Sequence, residues 1–417
     1  MNQSSAKGRT GIATRPFRVA HSDRSSQVGV VLWAILTVAL VSAPLWAERQ
    51  TLRLLTEIYS YAALASLWNL LAGYAGLVSV GQQAFVGLGA YVLFACGISV
   101  GLNPLWGVPA AGAVGGLLAV PIALLLFRLR GAYFAIGSWV IAESFLQLAQ
   151  LAPTLMRVDT NISLPAGLIK AMAASRDGRE FLIYWLFLAL MIAVIGIIVV
   201  LLRTRYGLAL TAIRDNETAA KANGIDVNRT RLVVFVVASS ATAITGALIY
   251  LQKLSITPIS AFNIGTWTVN VIFMTVIGGI GRVEGPLIGV IVFFILRQLL
   301  ADQGSIYLII LGVVAIVVML RAPKGLWGLF ADRYGWQLFP LARRLEYLSA
   351  KPVAIGAPEA KPSLAADNHM PSRCFRRSSA RQHPTMRGFR CASRPRSSSD
   401  GGARSAPGSR SAASTRW

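Results

Sequence analysis

The chain has 417 residues, of which 55% are hydrophobic and only 14% are charged. A soluble protein of this length would need a larger polar surface, so the composition excludes a soluble globular protein and indicates a chain that lies mostly in lipid. The formal net charge is +23. Basic residues flank the hydrophobic segments and crowd the C-terminal end, which favours a role in membrane topology over nucleic-acid binding.

Ten hydrophobic segments have about the length needed to cross a bilayer. Two of them, 77–99 and 264–281, are rich in glycine and are predicted to be broken or re-entrant helices. The sequence therefore predicts an all-α membrane protein with about ten transmembrane helices. In chain order the segments are 28–47, 54–72, 77–99, 104–127, 132–151, 181–202, 232–252, 264–281, 285–300 and 305–320.

Lysine and arginine predict the orientation, because they accumulate in the cytoplasmic loops of membrane proteins. Residues 1–27 carry five basic side chains and one acidic side chain, so this N-terminal segment is predicted to be cytoplasmic. Ten crossings then place the C-terminus on the same side, and six crossings place residues 203–231 there. The loop 152–180 is predicted to lie outside, in spite of its own basic residues.

Polar residues inside the hydrophobic segments are candidates for a translocation path, because their burial in lipid is unfavourable. Glu143 is the clearest, since a carboxylate in the middle of an apolar segment could bind a substrate ammonium group, sense a proton or hydrogen-bond to a neighbouring helix. The other path candidates, each of which could instead join two helices by a hydrogen bond, are Asn69, Ser79, Gln82, Gln83 and Asn270.

Two glycine clusters resemble each other. The first is Gly73–Ser79, with the sequence GYAGLVS, and the second is Gly278–Glu284, with the sequence GGIGRVE. Both fall on the same side of the membrane in the predicted topology, as a parallel internal repeat would require. Chance resemblance is the alternative, because the chain contains 38 glycines.

Residues 203–231 form a polar segment of 29 residues between two hydrophobic spans. It has six basic and three acidic side chains around an alanine-rich core with helical character. Two spans can be joined by a much shorter turn, so the length and the pattern favour a surface that binds a partner. A solvated amphipathic loop is the alternative interpretation.

The C-terminal part of the chain has a different composition. The transmembrane domain is predicted to cover 28–330, and a cytoplasmic tail follows at 331–417. Residues from 371 onwards have 11 arginines and no lysine, and the tail is predicted to be disordered from about residue 351. The arginine bias also suits an out-of-frame end of the reading frame, whereas an arginine-rich arm for RNA or anionic lipid is the alternative.

The sequence contains no constellation typical of catalysis. It has no phosphate-binding loop, no cluster with metal-ligand spacing and no nucleophile–base pair. Its three cysteines lack disulfide or metal spacing, and its three histidines lie outside the hydrophobic region. The chain is therefore predicted not to be an enzyme and to have neither a cofactor nor a metal site.

Several segments resemble the branched-chain amino acid permeases of ABC importers, in particular the M-type membrane subunit. The resemblance covers roughly 50–330. The matching segments are Asn69–Gly76 (NLLAGYAG), Ser79–Phe85 (SVGQQAF), Leu129–Ile136 (LRGAYFAI), Tyr206–Glu217 (YGLALTAIRDNE) and Gly278–Gly281 (GGIG).

The resemblance implies a permease subunit that moves branched-chain or related small amino acids across the bacterial inner membrane. It also implies three kinds of partner besides membrane lipid: an H-type permease subunit, two cytoplasmic ATP-binding subunits and an extracytoplasmic substrate-binding protein. A urea or amide importer of the same family is one alternative, and an ion-driven secondary transporter is another. The segment Arg157–Ser163 differs from the glycine-rich sequence of many relatives, so the substrate stays open.

The resemblance also implies an ATPase-coupling helix. The E-A-A-x-x-x-G motif of such importers is similar to Ala219–Gly224, with Glu217 displaced by one residue. Small alanines would allow close helix contact, and a glycine would end the helix. The predicted coupling residues are Arg214, Asp215, Glu217, Ala219, Ala220 and Gly224.

Overall fold

The computed structural model describes residues 17–20, 35, 37–156, 161–172, 175–300, 306–322, 325–334 and 344–347. The predicted disordered tail from about residue 351 lies outside the described residues, as does most of the basic segment 1–27. Helices dominate the described part. In chain order they are α1 (Thr37–Trp46), α2 (Arg49–Asn69), α3 (Gln82–Val100), α4 (Pro104–Leu126), α5 (Ala132–Met156), α6 (Ala166–Met172), α7 (Arg176–Arg203), α8 (Arg205–Asp215), α9 (Glu217–Ala222), α10 (Val227–Lys253), α11 (Pro258–Ala261), α12 (Asn270–Gly278), α13 (Glu284–Leu299), α14 (Ile306–Arg321) and α15 (Gly325–Tyr334).

Four short strands form two antiparallel pairs among the described residues. The strand β1 (Phe17–Ala20) pairs with β4 (Arg344–Tyr347), so the segments that precede α1 and follow α15 meet each other. The strand β2 (Ile162–Ser163) pairs with β3 (Ser255–Ile256) beside the C-terminal end of α10.

Seven helical stretches of the described chain are long and apolar enough to cross a membrane. Six of them coincide with α3, α4, α5, α7, α10 and the stretch 258–278, and the seventh, 312–331, runs across residues 323 and 324, which are not described. Two other predicted spans coincide with α2 and α13, and α1 covers the later part of the span 28–47. The prediction of an all-α, multi-pass membrane protein is confirmed.

The helix α10 packs against α3 and α4, and small residues bring the backbones close together. A Cβ atom added to Gly246 would lie 2.7 Å from Cα of Val86, and one added to Gly89 would lie 2.8 Å from Cα of Ala243. A Cβ atom on Gly115 of α4 would lie 2.5 Å from Cβ of Ala243. Small residues at such crossings are typical of membrane helices, because association in lipid depends on close packing.

The two glycine-rich segments adjoin helix breaks: α3 is continuous from Gln82, and residues 264–278 form a helix with a π turn but no break. After α2 the chain makes a π-helical turn at Leu70–Tyr74, and residues 75–81 are not helical, so α3 begins only at Gln82. The stretch 258–278 is interrupted after α11 and resumes with a second π-helical turn at Gly265–Val269. Single π turns inside helices are frequently found at functional sites.

Candidate functional site

The two glycine clusters that resemble each other in sequence lie in direct contact. We name Gly73–Ser79 the first glycine turn and Gly278–Glu284 the second glycine turn. The first connects α2 to α3, and the second connects α12 to α13. A Cβ atom added to Gly73 would lie 2.6 Å from N of Gly281, so only glycine allows the two backbones to approach this closely. Gly281 itself has a φ of 81°, a conformation that glycine adopts without strain.

Asn69, one of the predicted path residues, holds the second glycine turn in place. Its Oδ1 accepts a hydrogen bond from N of Gly281 at 2.8 Å, and its Nδ2 donates to the carbonyl oxygen of Arg282 at 2.8 Å. The side chain is only 2% exposed. Both polar ends of the amide therefore bind the backbone of the second turn, which makes Asn69 the link between α2 and the start of α13.

Arg214 connects these turns to the 203–231 segment. Nη1 of Arg214 donates a hydrogen bond to the carbonyl oxygen of Gly73 at 3.2 Å, and a Cβ atom on Gly281 would lie 3.2 Å from the same nitrogen. Nε of Arg214 forms a salt bridge with Asp215 at 3.5 Å. A displacement of α8 would therefore act directly on both glycine turns through one side chain.

The 203–231 segment is a helical hairpin formed by α8 and α9. Asn216 separates the two helices and caps α9, since its Oδ1 accepts a hydrogen bond from N of Ala219 at 3.0 Å. Ala220 is buried against Ile213 and Val227 in a small apolar cluster, whereas Ala219 is exposed. Gly224 follows α9 with a φ of 78°, so it ends the helix as predicted. The hairpin is thus anchored on one face and exposed on the other.

Glu217 is the centre of a charge network on α9. Its Oε1 accepts a hydrogen bond from Nζ of Lys221 at 2.7 Å, and its Oε2 pairs with Nη1 of Arg231 on α10 at 3.2 Å. The hydrogen bond from Lys221 holds the pKa of the Glu217 carboxyl below its ordinary value of 4.5, the charges of Lys221 and Arg231 act in the same direction, and partial burial opposes them. The charged form therefore ties α9 to α10.

The order of α9 is expected to depend on pH in the acidic range. Because the folded pKa of Glu217 is lowered, its contribution is fully present above the ordinary pKa of 4.5 and is lost as the pH falls through the folded pKa. Amide hydrogen exchange of residues 217–222, corrected for intrinsic rates, should accelerate in that range. In Glu217→Gln the same residues should exchange faster at neutral pH and lose this dependence. An unchanged pH profile in the variant would contradict the assignment.

Three further path candidates are buried between helices. The carbonyl oxygen of Ser79 accepts a hydrogen bond from Nε1 of Trp68 at 2.8 Å. Nε2 of Gln82 donates to the carbonyl oxygen of Leu64 at 3.0 Å, and Oε1 of Gln83 accepts a hydrogen bond from Thr268. Oε1 of Gln82 and Nε2 of Gln83 are buried and have no partner among the described residues. The side chains of Gln82 and Gln83 fix α3 against its neighbours, and the place of all three residues on a path stays a prediction.

Glu143 and Asn270 lie apart from this group. Glu143 is half-buried on α5, and its Oε1 lies 3.5 Å from Nε2 of Gln147, one helical turn further on. Ser144 and Gln147 are exposed on the same face, between large apolar side chains. Asn270 is half-buried at the start of α12. The six path candidates are therefore not one cluster.

Among the described residues, no group of three or more acidic, histidine or cysteine side chains could hold a metal ion.

The contacts that join the candidate residues were not predicted from the sequence. Lys221 and Arg231 were not predicted as coupling residues, although both bind Glu217. We name the contact of the two glycine turns with Asn69 and Arg214 the junction. The similarity of the two glycine clusters was the available signal for it, but this similarity did not indicate that the two turns touch.

Comparison with known proteins identifies the family. A family model described as "Branched-chain amino acid transport system / permease component" matches residues 50–321. The chain is 25% identical over 346 residues to the "High-affinity branched-chain amino acid transport system permease protein LivM" of Escherichia coli K12, which covers 77% of this chain and 80% of that protein. No solved structure matches the chain significantly.

Relatives of two kinds are similar to this chain. The "Probable branched-chain amino acid transport permease protein LivM" of Methanocaldococcus jannaschii is 26% identical over 264 residues, which cover 58% of this chain and 75% of that protein. The corresponding LivH protein of the same organism is 24% identical over 253 residues, which cover 57% and 73%. The family model matches more than half of the chain, and the chain therefore belongs to the family of permease components of branched-chain amino acid transport systems.

Proposed function

We propose that this chain is the M-type permease subunit of a binding-protein-dependent ABC importer for branched-chain amino acids in the bacterial inner membrane. The names of its relatives supply the substrate class. The topology proposed from the basic residues places the 203–231 segment and both termini in the cytoplasm. The pairing of β1 with β4 supports a common side for the two terminal segments.

The observation that carries this proposal is the hydrogen bond from Arg214 to Gly73. The exposed α8–α9 hairpin is the docking surface proposed for a cytoplasmic ATP-binding subunit. When that subunit moves on binding or hydrolysing ATP, the hairpin moves with it, and Arg214 transmits the displacement to both glycine turns. Because these turns connect α2 to α3 and α12 to α13, the displacement changes the angles between four helices.

The exposed face of α5 supports a second permease subunit as a further partner. Glu143, Ser144 and Gln147 lie on this face, and α5 is long and apolar enough to cross the membrane. A carboxylate that faces lipid in the middle of a span is unfavourable, so it requires a polar partner or water. An H-type permease packed against α5 would enclose Glu143 between the two subunits, beside the substrate path.

Docking is tested by replacing Ala219 with tryptophan. Ala219 is exposed and α9 is anchored through Ala220, so the new side chain fits the isolated chain but blocks close contact with another helix. We expect the co-purified ATP-binding subunit to fall at least about tenfold, since loss of about 1.4 kcal/mol of binding energy suffices for this. Quantitative mass spectrometry of the complex purified from membranes measures the ratio.

The matched control is Ala166→Trp, an exposed alanine at the start of α6. It should leave the ratio of subunits unchanged. Equal amounts of ATP-binding subunit in both variants would contradict the docking surface. A wild-type complex without an H-type subunit would contradict the pairing at α5. ATP-dependent uptake of urea but not of leucine would support an ABC importer and contradict the proposed substrate class.

A further inference from the structure

A cavity of about 540 Å³ lies at the end of the helix domain opposite to the hairpin. The helix α10 begins at Val227, which packs against the hairpin, and ends at Lys253, which lines the cavity. Its 27 residues span about 40 Å at 1.5 Å per residue, which is the thickness of a bilayer. If the hairpin is cytoplasmic, the cavity opens to the extracytoplasmic side. Its size is within the range of small-molecule sites.

The aromatic rings of Tyr61 and Trp267 line this cavity, and Tyr250 packs against Trp267 without lining it. Trp267 stacks on Tyr61 with 6.1 Å between ring centroids, and it meets Tyr250 edge-on at 6.3 Å. The indole Nε1 of Trp267 donates to the carbonyl oxygen of Ser260 at 2.9 Å, which fixes the ring. Together with aliphatic side chains of α2, α7 and α10, these rings offer an apolar surface of defined shape.

The ammonium group of Lys253 lies over the aromatic rings. Nζ of Lys253 lies 5.0 Å from the ring centroids of both Tyr250 and Trp267, a distance at which an ammonium group is attracted to aromatic faces. Lys253 is exposed to the cavity, and no carboxylate among the described residues forms a salt bridge with it. The rings hold the ammonium in place and leave its hydrogens available to an anion.

Carboxylates complete the lining. Glu57 lines the cavity, and its Oε1 pairs with Nη1 of Arg297 at 2.7 Å. Glu57 and Lys253 line the same cavity. Glu180, paired with Arg53, lies on the same rim. Arg53, Arg176 and Arg179 line the cavity as well. The cavity therefore presents basic groups, two carboxylates and an apolar wall within one small volume.

We propose that this cavity binds one zwitterionic amino acid with an apolar side chain, as a receiving site on the extracytoplasmic side of the permease. The ligand carboxylate binds Lys253, its ammonium group binds the carboxylate of Glu57, and its side chain packs against Trp267. The proposal rests on the proposed function for its substrate class. The opposite charges select zwitterions, and the wall selects apolar side chains.

Binding of L-leucine to the purified full-length chain in lipid nanodiscs tests the site, without ATP, ATP-binding subunits or binding protein. Saturation-transfer NMR reports the bound ligand, and titration gives the dissociation constant. In the wild type, L-leucine should bind about tenfold more tightly than L-leucinamide, because only L-leucine offers a carboxylate that forms a charge-assisted hydrogen bond with Lys253. In Lys253→Met this preference should disappear, because the variant lacks the ammonium group and keeps the apolar stem.

A second variant and a control separate the site from a folding defect. Glu57→Gln should reduce the preference for L-leucine over 4-methylpentanoate, which lacks the ammonium group, and keep the preference over L-leucinamide. Lys170→Met, an exposed lysine of α6 outside the cavity, should behave like the wild type. No leucine binding by the wild type, or an unchanged leucine-to-leucinamide preference in Lys253→Met, would overturn the proposal.

Two further outcomes distinguish this site from other roles. If Lys253→Met keeps the leucine preference but no longer docks a substrate-binding protein, the cavity is a protein-docking surface, and the proposal is wrong. If the wild type binds leucine as expected but the assembled complex shows no ATP-dependent uptake, the proposed importer fails while the binding site stands.

Discussion

Replacing Gly246 with alanine is expected to destabilise the packing of α10 against α3 by about 3 kcal/mol, the upper part of the range for overpacked cores. The added Cβ atom would lie 2.7 Å from Cα of Val86 and closer still to its carbonyl oxygen. Backbone atoms cannot rotate away as a side chain can, so the two helices must separate. Thermal unfolding of the purified chain, followed by tryptophan fluorescence, measures the loss.

Gly196→Ala is the matched control for this effect. Gly196 lies inside α7, and nothing lies within 4 Å of an added Cβ atom. In both variants alanine favours the helix over glycine by about 1 kcal/mol. Any difference in unfolding temperature between them therefore reports the contact with Val86. Gly196→Ala should unfold at or slightly above the wild-type temperature. Equal unfolding temperatures for the two variants would show that α10 does not approach α3 as closely as described.

Replacing Asn69 with leucine is expected to disconnect α2 from the second glycine turn. The variant has a similar volume but leaves the N–H of Gly281 and the carbonyl of Arg282 without the amide that binds them. A buried polar group that loses its partner costs about 1–3 kcal/mol. A cost of about 1.4 kcal/mol lowers the population of the connected arrangement about tenfold. We therefore expect ATP-dependent leucine uptake to fall at least about tenfold while ATP hydrolysis continues. Uptake and hydrolysis are measured together in proteoliposomes.

Thr245→Val serves as the control for the loss of a buried hydrogen bond. Oγ1 of Thr245 bonds to the carbonyl oxygen of Ala241 within its own helix, so its removal breaks no connection between helices. The variant should keep the wild-type ratio of uptake to hydrolysis. If Asn69→Leu and Thr245→Val have the same ratio, the junction does not couple the hairpin to the membrane helices.

The positions of the membrane spans could be predicted from the sequence because hydrophobicity is a local property of the chain. Segments 104–127, 132–151, 181–202 and 232–252 correspond closely to α4, α5, α7 and α10. Irregular helix geometry near the glycine-rich segments was also predictable, since glycine weakens helices wherever it clusters, but the breaks lie at the edges of these segments. The motifs of the 203–231 segment and of the first glycine turn were sufficient to indicate the family.

The function of individual polar residues was not predictable in this way. Asn69 and Glu143 look alike in the sequence, as single polar residues in apolar segments. In the structure Asn69 is buried and binds the second glycine turn, whereas Glu143 lies on the outer face of α5. The difference arises from the rotation and neighbours of each helix, which depend on distant parts of the chain.

The sequence by itself determined the helical membrane class, the approximate spans, the polar segment 203–231 and the family, because each is encoded in contiguous residues. The tertiary structure decided which of these features act together. Asn69 and Gly281 are 212 residues apart, and Arg214 and Gly73 are 141 residues apart, yet all four meet at one junction. Lys253, Glu57 and Trp267 likewise meet only through the packing of α2, α10 and the second π turn. Such contacts join residues that are far apart in the sequence. They form only when the whole chain folds and its helices pack closely, so no local sequence pattern reveals them.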